Sequence, residues 1–215
     1  DKTFQERAQF GHNNKQVRNV LSSVDRSQTL AEYADSFGNR GATLDLAQQA
    51  EIAIEAIQGG LAHSILIQDN ESWDTHVNNT QQGPLFENLF GNLNTLMENL
   101  ENASGKKAGN TLLDESIVVV MSEMSRTPRL NSAFGKDHWP HTSALVLGKD
   151  LGSAKVVGAT DDSLEGKTMN FATGEFSDSD GPLVPEALLA ALLKACGGDP
   201  ALYFPTVEPL NALFS

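Results

Sequence analysis

Cysteine is nearly missing from this chain: Cys196 is the only one in 215 residues. An intrachain disulfide is excluded, and the lone thiol, closing the run Leu192-Leu193-Lys194-Ala195, reads as a buried structural sulfur at a helix end. Positive charge is scarce as well, with 15 Lys and Arg against 28 Asp and Glu for a formal net charge of −13. Nucleic-acid binding needs a basic face, so the charge argues against that class of function, and the acidity concerns solubility or an acidic or saline milieu rather than a specific partner. No apolar run approaches the roughly 18 residues that a membrane-spanning helix requires. Internal repeats and low-complexity tracts are absent too. The chain opens at Asp1 with neither an initiator Met nor a signal peptide, as a processed protein or a fragment would.

What is present is ordinary for a globular protein, with 40% apolar and 20% charged residues. Residues 1–215 read as one α/β domain, with a peripheral helical and loop segment over 1–40. Val17, Val20, Leu21 and Val24 keep helical spacing there along a narrow stripe. After the Gly38-Asn39-Arg40-Gly41 turn, Thr43 is placed to cap a helix over 44–58, which Gly59-Gly60 ends. Its inner face is Leu46, Ala47, Ala50, Ala53, Ile54 and Ile57. His63 to Gln68 is strand-like around Ile65-Leu66-Ile67, with His63 at the bottom edge of the sheet and outside any chemistry.

Pro84 opens a strong helical pattern through Leu85, Phe86, Leu89, Phe90, Leu93, Leu96, Met97 and Leu100. The run Ile117-Val118-Val119-Val120-Met121 then predicts a strand buried on both faces, as in a parallel sheet. Strand, helix and strand over 61–121 predict a right-handed βαβ crossover whose two strand ends share one rim. Ser143 to Gly148 reads as another strand and Lys155 to Gly158 as a hairpin or edge strand. Residues 160–181 read as a surface excursion. A last helix over 185–196 turns Leu188, Leu189, Leu192 and Leu193 inward, and the apolar tail through Phe214 docks.

Ligands of open α/β sheets sit outside the carboxyl ends of the strands, which makes that rim the place to look for chemistry. It collects Trp73-Asp74-Thr75-His76, Ser122-Glu123, and the loop Gly135-Lys136-Asp137-His138-Trp139-Pro140-His141. Three of the five histidines lie there beside carboxylates, a donor set suited to zinc or another divalent transition metal. Asp74, His76, Glu123, Asp137 and His138 are the candidate ligands, with His141 as a further ligand or a general acid. Equally, Asp74 and Glu123 serve as caps or turn formers, a role that needs no metal. Arg126 reads either as a bidentate clamp on phosphate or sulfate or as the partner of Glu123. Ser122 reads as a nucleophile or a turn former, and no Gly-x-Ser-x-Gly elbow surrounds it.

Taken together, Trp73-Asp74-Thr75-His76, Ser122-Glu123-Met124-Ser125-Arg126-Thr127-Pro128 and Gly135-Lys136-Asp137-His138-Trp139 resemble the motifs of the DUF1501 family. The likeness runs from Arg40 onward and includes Gly158-Ala159-Thr160-Asp161. It implies a bacterial, exported protein, periplasmic or extracellular, related to the alkaline phosphatase and sulfatase superfamily. A doubly wound, mostly parallel sheet with flanking helices is the implied fold, of which this chain is the C-terminal portion. Also implied are a divalent metal (zinc, manganese or calcium) on Asp74, His76, Glu123 and His138, and hydrolysis of phosphate or sulfate esters. Arg126 and His141 are then the catalytic side chains. Where sulfatase-like relatives carry a further ligand after the strand-end carboxylate, this chain has Met124. That departure favours the other reading, a non-catalytic cell-surface or assembly protein that keeps the fold. The superfamily's nucleophile comes from an N-terminal half, so the sheet is expected to need that half, another chain, or a second copy in a homo-oligomer to cover its edge.

Overall fold

The computed structural model describes residues 15–38, 44–178 and 180–214. The turn residues Asn39 to Gly41 and the cap expected at Thr43 lie outside the described residues. The chain forms two compact units, one of the residues through Asp74 with Thr80–Leu113, the other of Thr75–Asn79 with Asp114–Ser215.

In the first unit the helical spacing of the sequence becomes three helices: α1 (Lys15–Gly38), α2 (Leu46–Gln58) and α3 (Gln82–Asn102). The valine stripe of α1 is not covered, since Val20 and Val24 are exposed. On the same helix Ser23, Ser27 and Thr29 return their hydroxyls to the carbonyls four residues back. Helix α2 starts two residues later than the sequence suggests because Asp45 and Gln48 form a reciprocal capping box, at 2.8 and 3.2 Å. Ala50, Ala53 and Ile54 of α2 are buried, and the helix packs on α3, which buries Leu93 and Leu100. Phe86 and Phe90 stay exposed, with the Trp73 ring edge-on to Phe86 at 5.0 Å between centroids.

No strand forms over 63–68, and Leu66 is 95% exposed. What ties this stretch down is a side chain: the Gln49 amide accepts from the Gln68 N–H at 3.1 Å and donates to the Gln68 carbonyl at 2.8 Å. One glutamine thus satisfies both backbone groups of Gln68, at the end of the expected strand.

The doubly wound parallel sheet is not formed. Among the described residues there are two separate two-stranded sheets, both antiparallel and both in the second unit. Strand β1 (Ile117–Val120) pairs with β4 (Leu145–Gly148) in the register Ile117↔Gly148 to Val120↔Leu145. The apolar run did mark a strand, but composition does not fix the direction of its partner, and all four β1 residues are only half-buried. Gly148 is required at the end of this ladder. Its φ is 108°, and a Cβ there would lie 2.3 Å from the Ser116 carbonyl oxygen.

The core of the second unit lies away from these strands. Met169 and Phe171, from the 160–181 stretch, pack with Ala187 and Ala191 of α4 (Pro185–Ala195) and with Leu210 and Ala212 of the tail. Backbone bonds from Leu210 N–H to the Ala187 carbonyl and from Ala212 N–H to the Phe171 carbonyl dock that tail. Helix α4 turns its alanines inward with Leu188 and leaves Leu189 42% exposed, a different face from the leucine stripe. Cys196, just past its end, is exposed and is not the buried thiol the sequence suggests. Lys155 to Gly158 forms no strand, and Val156 is 93% exposed. None of the described helices is long and apolar enough to cross a membrane.

Candidate metal centre

The second sheet carries the candidate site. Strand β2 (Ser125–Arg126) pairs with β3 (His138–Trp139), placing Arg126 directly opposite His138 and Ser125 opposite Trp139. Thr127 extends the pairing by one residue. Its N–H donates to the Asp137 carbonyl at 2.8 Å, and its hydroxyl accepts from the Asp137 N–H at 3.1 Å.

His76 reaches this ladder on the 75–79 segment, which runs antiparallel beside the 131–136 turn through a Val77↔Phe134 bridge. Lys136 N–H donates to the Thr75 carbonyl at 3.1 Å, and Asn79 N–H to the Phe134 carbonyl at 2.8 Å. Two residues make the approach possible. At Gly135 an added Cβ would fall 2.0 Å from the His76 carbonyl oxygen and 2.5 Å from the Val77 nitrogen, so only glycine fits. Asn131 bonds through both ends of its amide. Its Oδ1 accepts from Ala133 N–H (2.9 Å) and Gly135 N–H (3.0 Å), while its Nδ2 donates to the His76 carbonyl and to Asp137 Oδ1, each at 3.0 Å.

With the segment held this way, the His76 and His138 rings stand 4.7 Å apart between centroids. Nη1 of Arg126 lies 3.3 Å from Nδ1 and 3.4 Å from Nε2 of His76 and also donates to the Lys136 carbonyl at 3.2 Å. A donor on the axis of either ring lone pair would be far closer to one nitrogen than to the other. The near-equal distances put the guanidinium off both axes.

Asp74, carried into the same cluster by the peptide bond to Thr75, completes a group with His76 and His138. Their potential ligand atoms lie within 4.8 Å of one another, with His76 half-buried and the other two exposed. Two imidazoles and a carboxylate form a donor set that suits zinc or manganese better than calcium, which prefers oxygen alone. Ligands bound at about 2.1 Å to a tetrahedral ion stand roughly 3.4 Å apart, a spacing that side-chain rotation of little more than an ångström at most would reach.

The structure leaves the remaining sequence candidates outside this group. Glu123 is exposed on the turn before β2, where Ser122 donates its hydroxyl to the Met124 carbonyl at 2.6 Å in the manner of a turn former. Asp137 Oδ1 accepts from Asn131 Nδ2. His141 bonds through Nε2 to Glu165 Oε2 at 2.8 Å, on a partly exposed patch. Asn131 and Glu165 were not singled out by sequence, and Gly135 only as the first residue of the Gly135-Lys136-Asp137-His138-Trp139 motif. The Asn131-to-Gly135 spacing signals a turn, but nothing in it says which backbone the turn will receive.

A family model described as "Protein of unknown function (DUF1501)" matches residues 3–208, nearly the whole chain. The chain belongs to the DUF1501 family. No curated protein and no solved structure matches it. In this DUF1501 chain, all the residues gathered around His76 fall inside the matched span.

Proposed function

We propose that this DUF1501 protein is a metal-dependent hydrolase of phosphate or sulfate esters. What carries the reading is the placement of a guanidinium against His76 within a group of one carboxylate and two imidazoles. Asp74, His76 and His138 would hold a divalent ion, zinc or manganese before calcium, which when bound supplies a Lewis acid for the ester oxygen. Arg126 binds and orients the anionic ester, its planar fork suited to two oxygens of a tetrahedral group. His141, whose Nε2 is bonded to Glu165, would move a proton at the leaving group.

Kinship with the alkaline phosphatase and sulfatase superfamily belongs to this proposal and rests on the shared motifs alone, since the two antiparallel ladders do not reproduce that superfamily's sheet. An exported, periplasmic or extracellular bacterial setting belongs to it as well. So does a covering partner for β1, whether further sequence of the same protein, another chain or a second copy. The partner is motivated by a run of four apolar residues that is only half-buried and paired on one edge.

A non-catalytic binding role is favoured by one observation: Glu123 stands exposed and apart from the triad, followed by Met124 rather than a ligand. Metal content and turnover of aryl phosphates and sulfates separate the readings, measured on purified protein and on His138→Ala. Hydrolysis that follows bound zinc or manganese and is lost in His138→Ala supports the enzyme. Less than about a tenth of an equivalent of zinc, manganese or calcium after loading, with no turnover, sinks it.

A further inference from the structure

We infer that the site takes up its cation and a tetrahedral oxyanion as a pair, with Arg126 as the residue that makes each depend on the other. The inference rests on the proposed metal site and adds a rule for its occupancy.

A guanidinium keeps its charge at every physiological pH. Here its Nη1 lies beside the His76 ring, 3.3 and 3.4 Å from the two ring nitrogens, and donates to the Lys136 carbonyl. The β2–β3 register sets the same residue opposite His138, the second imidazole of the group. A divalent ion on those imidazoles therefore sits a few ångströms from a permanent positive charge. At about 5 Å such a contact weakens binding on the order of tenfold even with water-like screening, and more where water is excluded.

Asp74 supplies the one carboxylate of the group. The nearby Asp137 carboxylate accepts from the neutral Asn131 amide and so keeps its negative charge. A divalent cation and a guanidinium against these two carboxylates leave positive charge in excess, which a sulfate or phosphate oxyanion offsets. The same anion presents oxygens to the ion and to the Arg126 fork together. Linkage then requires that whatever the anion does for cation affinity, the cation does for anion affinity by the same factor.

The test measures Mn²⁺ binding by electron paramagnetic resonance of the free ion, in chloride alone and with sulfate at constant ionic strength. For the unaltered protein, sulfate is expected to tighten Mn²⁺ about tenfold or more. In Arg126→Gln, Mn²⁺ binds about tenfold tighter without sulfate, and the sulfate effect falls below about twofold. Arg126→Lys keeps the charge and much of the sulfate dependence, which guards against a general folding defect in Arg126→Gln, as does circular dichroism of both variants. Mn²⁺ that binds equally with and without sulfate, or more weakly in Arg126→Gln under both conditions, overturns the pairing and leaves the metal site standing. Mn²⁺ that binds under none of these conditions overturns both.

Discussion

Replacing Gly135 by alanine should release the His76 segment from its turn. Gly135 is not among the residues with positive φ, so its backbone angles alone do not forbid a side chain. At a compatible site glycine to alanine stabilises by about 0.4–1 kcal/mol through the unfolded state. Here the added methyl meets backbone atoms on both sides of the His76–Val77 peptide, at 2.0, 2.1 and 2.5 Å, and no flexible side chain can yield. Relief requires the 75–79 and 131–136 segments to separate. Four hydrogen bonds would be stretched or lost: Lys136 to Thr75, Asn79 to Phe134, Asn78 to Ala133, and Asn131 Nδ2 to the His76 carbonyl. At about 0.5–1.5 kcal/mol each, and with some regained from water, the expected cost is about 2–4 kcal/mol. Urea unfolding reads this as a lower midpoint at an unchanged slope. The same variant should bind Mn²⁺ in sulfate at least tenfold more weakly, because His76 leaves the group it forms with Asp74 and His138. A Gly135→Ala protein within about 0.5 kcal/mol of the original, with unchanged metal affinity, would refute the close approach on which the site depends.

Asn131→Ala leaves the Ala133 and Gly135 N–H groups, the His76 carbonyl and Asp137 Oδ1 without their amide partner. It should cost about 1–3 kcal/mol in chemical denaturation, with Asn131→Asp recovering only the part owed to Oδ1. Met169→Ala empties a position that is fully buried in the core of the second unit, and a loss of about 2–5 kcal/mol is expected from its thermal or urea midpoint.

The sequence was most readable where one local physical rule acted alone. Helical spacing located α2, α3 and α4 to within a few residues, and the two-residue error at α2 came from weighing Thr43 ahead of the Asp45–Gln48 pair that forms the box. Faces were harder to read than elements. On α4 the spacing of large residues pointed to leucine, but close packing against Met169 and Phe171 selected Ala187 and Ala191, and Leu189 turned outward. Strand partners were the least readable. Ile65-Leu66-Ile67 and Ile117-Val118-Val119-Val120 are alike in composition, yet the first forms no strand and the second pairs with β4. At the candidate site, Asp74, His76 and His138 could be chosen from donor chemistry. Asn131 and Gly135 act on the backbone of other residues, and a turn's composition carries no record of its target.

The shortness of the β2–β3 ladder has a consequence for how this family can vary. With two residue pairs, the identity of the group opposite His138 depends on counting. A slip of one position would set Asp137 or Trp139 against Arg126 and send the guanidinium to the other side of the sheet. The pair of hydrogen bonds between Thr127 and Asp137 works as a stop against that slip. Length changes between Pro128 and Lys136 therefore carry the risk of a frameshift in space, replacing a cation's neighbours without altering a single chemically active residue.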